Sequence, residues 1–289
     1  MFKAALLQVT CGPDIAANTK IAVDLTREAV KAGANFVFMP ENIAFMGWGR
    51  DNIIKASYPG DTHPTLQAFK ALAAELKVWL HAGSMIINVG GEDVVNRTHV
   101  INPEGAVVAY YDKIHMFDVD LVGGESYRES ATFRAGSKAV VVKTPYGGLG
   151  LSICYDLRFP YLFRALAQNG ADFITSPAAF TQKTGEAHWH VLMRARAIET
   201  GCYVISPAQS GTHAHGRQTF GHSLVVSPWG EIIGDAGTNS PSFILVDIDP
   251  LKVAEARNMI PFLKHDRTFT LEVQEQASSI LNLLRHRNS

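Results

Sequence analysis

The sequence is poor in the features that mark several whole classes of protein. Only three cysteines, Cys11, Cys154 and Cys202, occur in 289 residues. That number makes no disulfide framework and fits a reducing compartment. Charge of one sign is missing too: 26 Lys and Arg against 27 Asp and Glu leave a net charge of −1. Such a balance gives no electrostatic footprint for nucleic acid or an anionic membrane. No uninterrupted apolar run approaches the roughly 18 residues that a membrane span needs. The opening segment MFKAALLQVTCGPD lacks the long apolar core and small-residue cleavage site of a secretory signal. No long polar linker divides the chain. These absences leave a soluble, cytoplasmic protein with no nucleic-acid or membrane partner as the expectation.

What is present is a chain that repeats itself. KAALLQV (3–9) reads as a strand, Asn18 to Lys31 as a helix and GANFVFMPE (33–41) as a second strand. Further on, GLGLSICYD (148–156), YLFRALAQN (161–169) and GADFITSPA (170–178) follow the same strand, helix, strand order. KAGANFVFMP and QNGADFITSP align closely, with glycine ending a helix and phenylalanine opening a strand. Each half continues with another helix and strand, then with a hairpin about Pro-x-Gly. The expected turns are Asn102–Gly105 and Ser227–Gly230.

Strands alternating with helices predict sheets covered by helices, and the hairpins add antiparallel strands. Two similar halves facing each other give an α/β protein: a four-layer α-β-β-α sandwich with two mixed sheets and internal pseudo-two-fold symmetry. Residues 1–272 are expected to form one domain. Residues 273–289 are read as a C-terminal tail, in which Leu281, Leu283 and Leu284 pack on the domain or on a neighbouring subunit. In the segment EAHWHVLMRARAIETGCYV, residues Ala187, Val191, Ala195 and Ile198 form the expected inward stripe. Arg194, Arg196 and Glu199 are placed to form ion pairs, and the loop from Phe180 to Gly185 is expected to overhang a pocket.

In sheets of this kind functional groups collect at the carboxyl ends of strands. Glu41 follows FVFMP, Lys113 closes VVAYYD and Cys154 ends LGLSI. Taken singly, each has an ordinary explanation. A buried cysteine usually packs as a small hydrophobe, a glutamate after proline is a loop acid, and a lysine is a surface charge. Their joint placement on two facing halves is what assembles a thiol, a base and a cation.

The segments FMPEN, YDKIHMFDVD with the later YRES, and GLGLSICYDLRFP resemble the three signature segments of the nitrilase superfamily of carbon–nitrogen hydrolases. They occur in the right order, and the resemblance runs from residue 2 to about residue 270. It implies an α-β-β-α sandwich, a catalytic triad of Glu41, Lys113 and Cys154, and a second glutamate, Glu129, bordering the same pocket. TGEAHWHVLMRARAIETGCYV and AQSGTH look typical of the Nit-type branch, whose members hydrolyse amides of α-keto acids. Within that branch the likeness is nearest to members acting on deaminated glutathione, with those acting on α-ketoglutaramate as siblings. The resemblance also implies a homodimer or larger homo-oligomer, a small-molecule amide as substrate, and no cofactor.

The chemistry accounts for these residue types. A glutamate within hydrogen-bond reach takes the proton of a thiol that attacks the amide carbon. Lys113 and the amide of Tyr155 then stabilise the oxyanion. The amide yields a carboxylic acid and ammonia through a thioester. Asp156 is placed to cap the helix that follows. Arg158 either holds an acidic substrate group or forms a structural salt bridge. Glu129 either positions Lys113 and the substrate or pairs with an arginine, and the first is favoured. Phe180 and Thr181 complete the candidate substrate-binding residues.

Other readings have less behind them. His188 with His190, and His213 with His215, lack a carboxylate or cysteine at metal-ligand spacing, so no metal is expected. The GGLG run (147–150) precedes its strand, whereas a phosphate loop follows one. Cys11 and Cys202 read as packing residues. A non-catalytic scaffold has no chemical need for the intact triad, and nitrile hydrolysis would use the same three groups on a C≡N carbon.

Overall fold

Alternation along the first strand, Phe2–Gln8, sets the layering in the computed structural model, which describes residues 1–121 and 124–274. Ala4 and Leu6 face one way and join a core with Leu149, Leu151, Phe173 and Tyr203. Ala5 and Leu7 face the other way and pack with Ala22, Ala29, Phe69 and Ala73. A strand buried on both faces needs apolar residues on both, which is why this one reads as a continuous apolar run rather than an alternating one.

The first sheet runs Ser242–Ile248, Phe2–Gln8, Phe36–Phe38, Trp79–His81, Asp93–Ile101, Met85–Gly90 and Tyr58–Pro59, with Val107–Asp112 also pairing Asp93–Ile101. The second runs Val141–Thr144, Gly147–Leu151, Phe173–Thr175, Tyr203–Ser206, Leu224–Val226 and Ile232–Asp235. The described helices are α1 (Ile15–Lys31), α2 (Arg50–Lys55), α3 (Pro64–Leu76), α4 (Pro160–Gln168), α5 (Gln182–Thr200) and α6 (Leu251–Met259). Helices α1 and α3 cover the first sheet, while α4 and α5 cover the second. The result is the expected α-β-β-α sandwich.

Pseudo-symmetry is explicit in the register. Ala4 pairs with Phe36 and Phe36 with Trp79, both in parallel. Leu149 pairs with Phe173 and Phe173 with Tyr203, again in parallel. The next neighbours, Asp93–Ile101 and Leu224–Val226, are antiparallel in their respective sheets. Both Pro-x-Gly turns close as expected. Gly105 donates its N–H to the Asn102 carbonyl and Gly230 donates to the Ser227 carbonyl, each at 2.9 Å.

Three local expectations are corrected. The strand expected over 148–156 spans only Gly147–Leu151, because Ser152 and Cys154 turn their N–H groups to the Thr175 and Pro177 carbonyls. The loop expected over 180–185 is already helical from Gln182. Helix α5 also turns a different face inward. Val191 is 68% exposed and Ile198 50%, while Trp189 and Met193 are fully buried. The larger apolar area of Trp and Met decides which face is buried. Arg196 is buried on that face and pairs with Glu199 at 2.8 Å. Leu281, Leu283 and Leu284 lie outside the described residues.

A seam of buried histidines runs near the sheet interface. The His81 ring nitrogen Nε2 lies 3.0 Å from Thr98 Oγ1 and 3.1 Å from Thr175 Oγ1, touching both sheets. Burial holds His81 and His99 down to about 3, and His63 to about 4, from the ordinary 6.5. An unfolded chain protonates these rings below pH 6.5 and the folded one does not, so their contribution is complete above 6.5 and fades as pH falls toward 3–4. At pH 4 each of the two deepest rings withdraws on the order of 3 kcal/mol. The urea midpoint is therefore expected to be level from pH 8 to 7 and to drop steadily between 6.5 and 4. A level midpoint down to pH 4 would refute neutral burial.

Candidate active site

Three chain reversals meet at a cavity of about 360 Å³ at the carboxyl ends of the strands. The first carries Glu41, three residues past the strand Phe36–Phe38. Met39 donates its N–H to the His81 carbonyl, which fixes the chain before it turns. Gly83 allows the turn. A Cβ there would stand 2.1 Å from the Pro40 carbonyl oxygen, and its φ of +59° favours glycine in any case. Glu41 is buried. Its Oε1 accepts from Asn96 Nδ2 at 2.9 Å and Lys113 Nζ at 3.1 Å, and its Oε2 accepts from the Ala179 N–H at 2.8 Å.

Lys113 stands one residue past the strand Val107–Asp112, and its own N–H donates to the Asn96 carbonyl. Its ammonium reaches Glu129 at 2.8 and 2.9 Å as well as Glu41. Glu129 opens a short 3-10 turn and is steadied by the Phe117 N–H at 2.7 Å. The lysine thus lies between two carboxylates, as favoured for Glu129.

Cys154 comes three residues after its strand, with a φ of +49°. A cysteine in the left-handed region is strained, and the hydrogen bond from its N–H to the Pro177 carbonyl holds it there. The thiol lies beside the Glu41 carboxylate, whose charge acts on it. Asp156 caps the 3-10 turn Cys154–Arg158, through the bond from the Ile153 N–H, rather than α4. It is fully buried, and its Oδ2 accepts from the Ile153 N–H at 2.8 Å and the Tyr111 hydroxyl at 2.7 Å. Its Oδ1 accepts from the His115 N–H at 3.1 Å. One carboxylate therefore ties the turn that carries Cys154 to the segment that carries Lys113.

Burial pulls the Lys113 ammonium down, but Glu129, Glu41 and their contacts outweigh it, so the group is held well above the usual lysine value. Burial likewise works to raise Glu41, yet Lys113 and three hydrogen bonds bring it below the ordinary 4.5. The Cys154 thiol is pushed well above 9.0 by burial and by the adjacent Glu41 charge. At neutral pH the resting site is a thiol beside an ionised carboxylate and a charged ammonium. It holds a base ready for the thiol proton rather than a preformed thiolate.

Tyr155, Phe180 and Thr181 line the cavity. Arg158 does not: its guanidinium sits 5.3 Å from the Phe180 ring and 5.8 Å from that of Tyr155, with Nη2 beside His188. Several contributors had no local signal in the sequence. Asn96 lies mid-strand in NRTHV, the Ala179 N–H belongs to no side chain, and Gln209 holds the Glu41 carbonyl from a remote segment. Trp48, Phe117 and Tyr127 form an aromatic wall, and Arg217 completes the lining.

The other candidates settle elsewhere. Cys11 is buried and its thiol donates to the Ile43 carbonyl; burial pushes it up to about 12. Cys202 is likewise buried and raised to about 11. His190 meets His222 and Asp235, distant in sequence, with ligand atoms within 4.8 Å of one another. Asp235 accepts from both rings, at 3.1 Å from His190 and 2.9 Å from His222, so hydrogen bonding within the trio accounts for the grouping. His213 is held between the Cys11 carbonyl and Thr219.

Known proteins resemble this chain over most of its length. The carbon-nitrogen hydrolase family model matches residues 3–258. A deaminated glutathione amidase from Synechocystis sp. (strain PCC 6803 / GT-S) is 41% identical over 268 residues, covering 91% of this chain and 97% of that protein. The C. elegans NitFhit crystal structure gives a TM-score of 0.84 at 34% identity, covering 96% of this chain and 68% of that one. Saccharomyces cerevisiae Nit3, described as a member of branch 10 of the nitrilase superfamily, gives 0.83 at 29% identity, covering 92% and 97%.

The place of Glu129 generates a prediction. Glu129→Gln keeps the shape of the side chain and an acceptor for the Phe117 N–H, but releases one of the two charges that aim Lys113. Hydrolytic turnover is expected to fall ~10²-fold, mainly in kcat, with the melting temperature nearly unchanged. Wild-type turnover would show that Glu129 positions nothing.

Proposed function

The chain belongs to the carbon–nitrogen hydrolase family, and on that premise we propose that it is an amidase hydrolysing the amide of an α-keto acid through a thioester on Cys154. One observation carries the reading. The Cys154 thiol lies beside a carboxylate that is itself 3.1 Å from a charged lysine, and all three border one cavity.

Glu41 takes the thiol proton as sulfur attacks the amide carbon, and the carbon–oxygen π pair moves to oxygen. The Lys113 ammonium and the Tyr155 N–H stabilise that oxyanion. As the carbonyl reforms, the carbon–nitrogen bond breaks and Glu41 returns its proton to the departing amine. Glu41 then deprotonates a water that attacks the thioester, which releases the carboxylic acid and the thiol. A primary amide loses ammonia. In deaminated glutathione the departing amine is the amino group of cysteinylglycine.

Deaminated glutathione is the favoured substrate because relatives near 40% identity carry that activity in their names. α-Ketoglutaramate shares the same acyl part and is the alternative. Residues 1–272 are assigned to the hydrolase domain, a proposal that the match over 3–258 supports. A cytoplasmic location is supported by three unpaired thiols, and none of the described helices is long and apolar enough to cross a membrane. Exposed Val191 and Ile198 on α5, beside exposed Trp229, support pairing of sandwiches through their helical faces into a homodimer or larger assembly.

Incubation with deaminated glutathione, α-ketoglutaramate and a simple aliphatic nitrile tests the reading. The expected result is α-ketoglutarate from both amides, faster from the first, and no acid from the nitrile. Cys154→Ala should reduce release to background, and acid-quenched wild type should carry an acyl adduct on Cys154 by mass spectrometry. Activity retained in Cys154→Ala would overturn the thioester. The pH profile is a separate check. Glu41 is ionised above a value lower than 4.5 and the thiol titrates above 9.0, so kcat/KM is expected to be flat between about pH 6 and 8. A rise through pH 7–9 would mean that a thiolate, not the Glu41–thiol pair, is the reactive form.

A further inference from the structure

We propose that Arg217 reads a carboxylate on the acyl side of the substrate, so that the cavity selects amides of short diacids over neutral amides of the same length. The inference deepens the amidase reading and rests on it. It comes from the charges that border the cavity. Four cations line it: Arg50, Lys113, Arg128 and Arg217. Lys113 is held by Glu41 and Glu129. Arg50 pairs with Glu92 at 2.8 Å and Arg128 with Asp120 at 2.8 Å. Arg217 differs. Among the described residues no carboxylate lies within ion-pair distance of it.

Its contacts are neutral. Nη2 donates to the Ala179 carbonyl at 2.9 Å, the guanidinium lies 5.4 Å from the centre of the Tyr127 ring, and Nε is buried without a partner. Glu125 acts on it only through space, and that carboxylate is already engaged by Lys183 at 2.8 Å and by the Tyr127 hydroxyl. A half-buried guanidinium has five donors in a fixed fork that matches a carboxylate, and none of the described residues pairs a carboxylate with it. An acidic group on the bound molecule would complete that balance.

Placement fixes the class of ligand. Ala179 joins the two ends of the site: its carbonyl accepts from Arg217 and its N–H donates to Glu41. The cation and the catalytic carboxylate thus flank a single residue. An acyl group that reaches from Cys154 to Arg217 needs only a few carbons between its reacting carbonyl and its acid. Arg158 follows Cys154 closely in sequence but stands outside the lining, behind the rings of Tyr155 and Phe180. Arg217 is accordingly a specificity residue on a segment that no motif marked.

Glutaramate and pentanamide, equal in chain length and differing in the acid, are the test substrates, compared in wild type, Arg217→Gln and Arg217→Lys. Wild type should prefer glutaramate. Arg217→Gln should lose ~10²-fold in kcat/KM on glutaramate and at most about threefold on pentanamide, with Arg217→Lys between, because it keeps charge but loses the fork. Equal losses on both substrates in both variants would overturn the proposal, since a merely structural arginine disturbs both alike. A binding arm does not depend on turnover. Glutarate titrated calorimetrically into Cys154→Ala should bind at least ~10-fold more tightly than into Cys154→Ala with Arg217→Gln, or with Arg217→Lys should the glutamine variant unfold. No glutarate binding to Cys154→Ala, or equal binding to the paired variants, would also overturn it. Should wild type hydrolyse neither amide, the amidase reading fails while the glutarate titration still decides the role of Arg217.

Discussion

The structure turns on one buried ammonium. Lys113 is only 2% exposed, and a single charge in that position is tolerated only with opposite charge against it. Glu41 and Glu129 provide that charge from two separate chain reversals. Two carboxylates against one ammonium leave an excess negative charge, and its effect falls on the thiol. Cys154 cannot ionise easily beside Glu41, so the sulfur stays protonated until a substrate carbon is there to accept its electrons. The same charge makes Glu41 ready to accept that proton. Stability of the cluster and readiness of the base have one electrostatic origin.

Charge alone does not aim these groups, and hydrogen bonds from outside the triad do. Asp156 accepts from Ile153, Tyr111 and His115, so the nucleophile turn and the lysine segment share one buried carboxylate. Asn96 works similarly, with its carbonyl receiving the Lys113 N–H and its side chain donating to Glu41. Gln209 holds the Glu41 backbone from the second half. These supports are rigid because each is buried and attached to a strand or to the turn beside one. They explain how Cys154 keeps a left-handed backbone that a free chain would leave.

Much of this was legible from residues close together in sequence. The alternation of strands and helices, the Pro-x-Gly turns and the strand-end positions of Glu41, Lys113 and Cys154 follow from local pattern, because apolar runs, turn residues and motifs each act over a few positions. What was not legible depends on distant partners. On α5 the stripe of Val191 and Ile198 has helical spacing as good as that of Trp189 and Met193, so spacing does not distinguish the faces and the larger apolar area of Trp and Met does. Asp156 caps the turn that carries Cys154, but its further partners Tyr111 and His115, 45 and 41 residues away, had no local signal. Arg158 was the near arginine, whereas Arg217 lines the cavity from a remote segment, a distinction that exists only once the halves are folded together.

The repeat itself explains why there is one site and not two. In register, Leu6 pairs with Phe38 as Leu151 pairs with Thr175, so the two halves can be matched position for position. Cys154 lies three residues past Leu151, and its counterpart three past Leu6 is Val9. Glu41 lies three residues past Phe38, and its counterpart three past Thr175 is Ala178. Each half therefore offers the same two backbone positions, and only one in each, Glu41 and Cys154, lines the cavity with a reactive group. Val9 bridges to Gln209 and Ala178 to Ala208, so the unreactive positions are consumed in joining the chain where the reactive ones face open space. A thiol and a carboxylate at both sets would add a further acid and a second sulfur to the two carboxylates already against Lys113. Asymmetry of side chains on a symmetric frame is what lets one lysine serve the whole site.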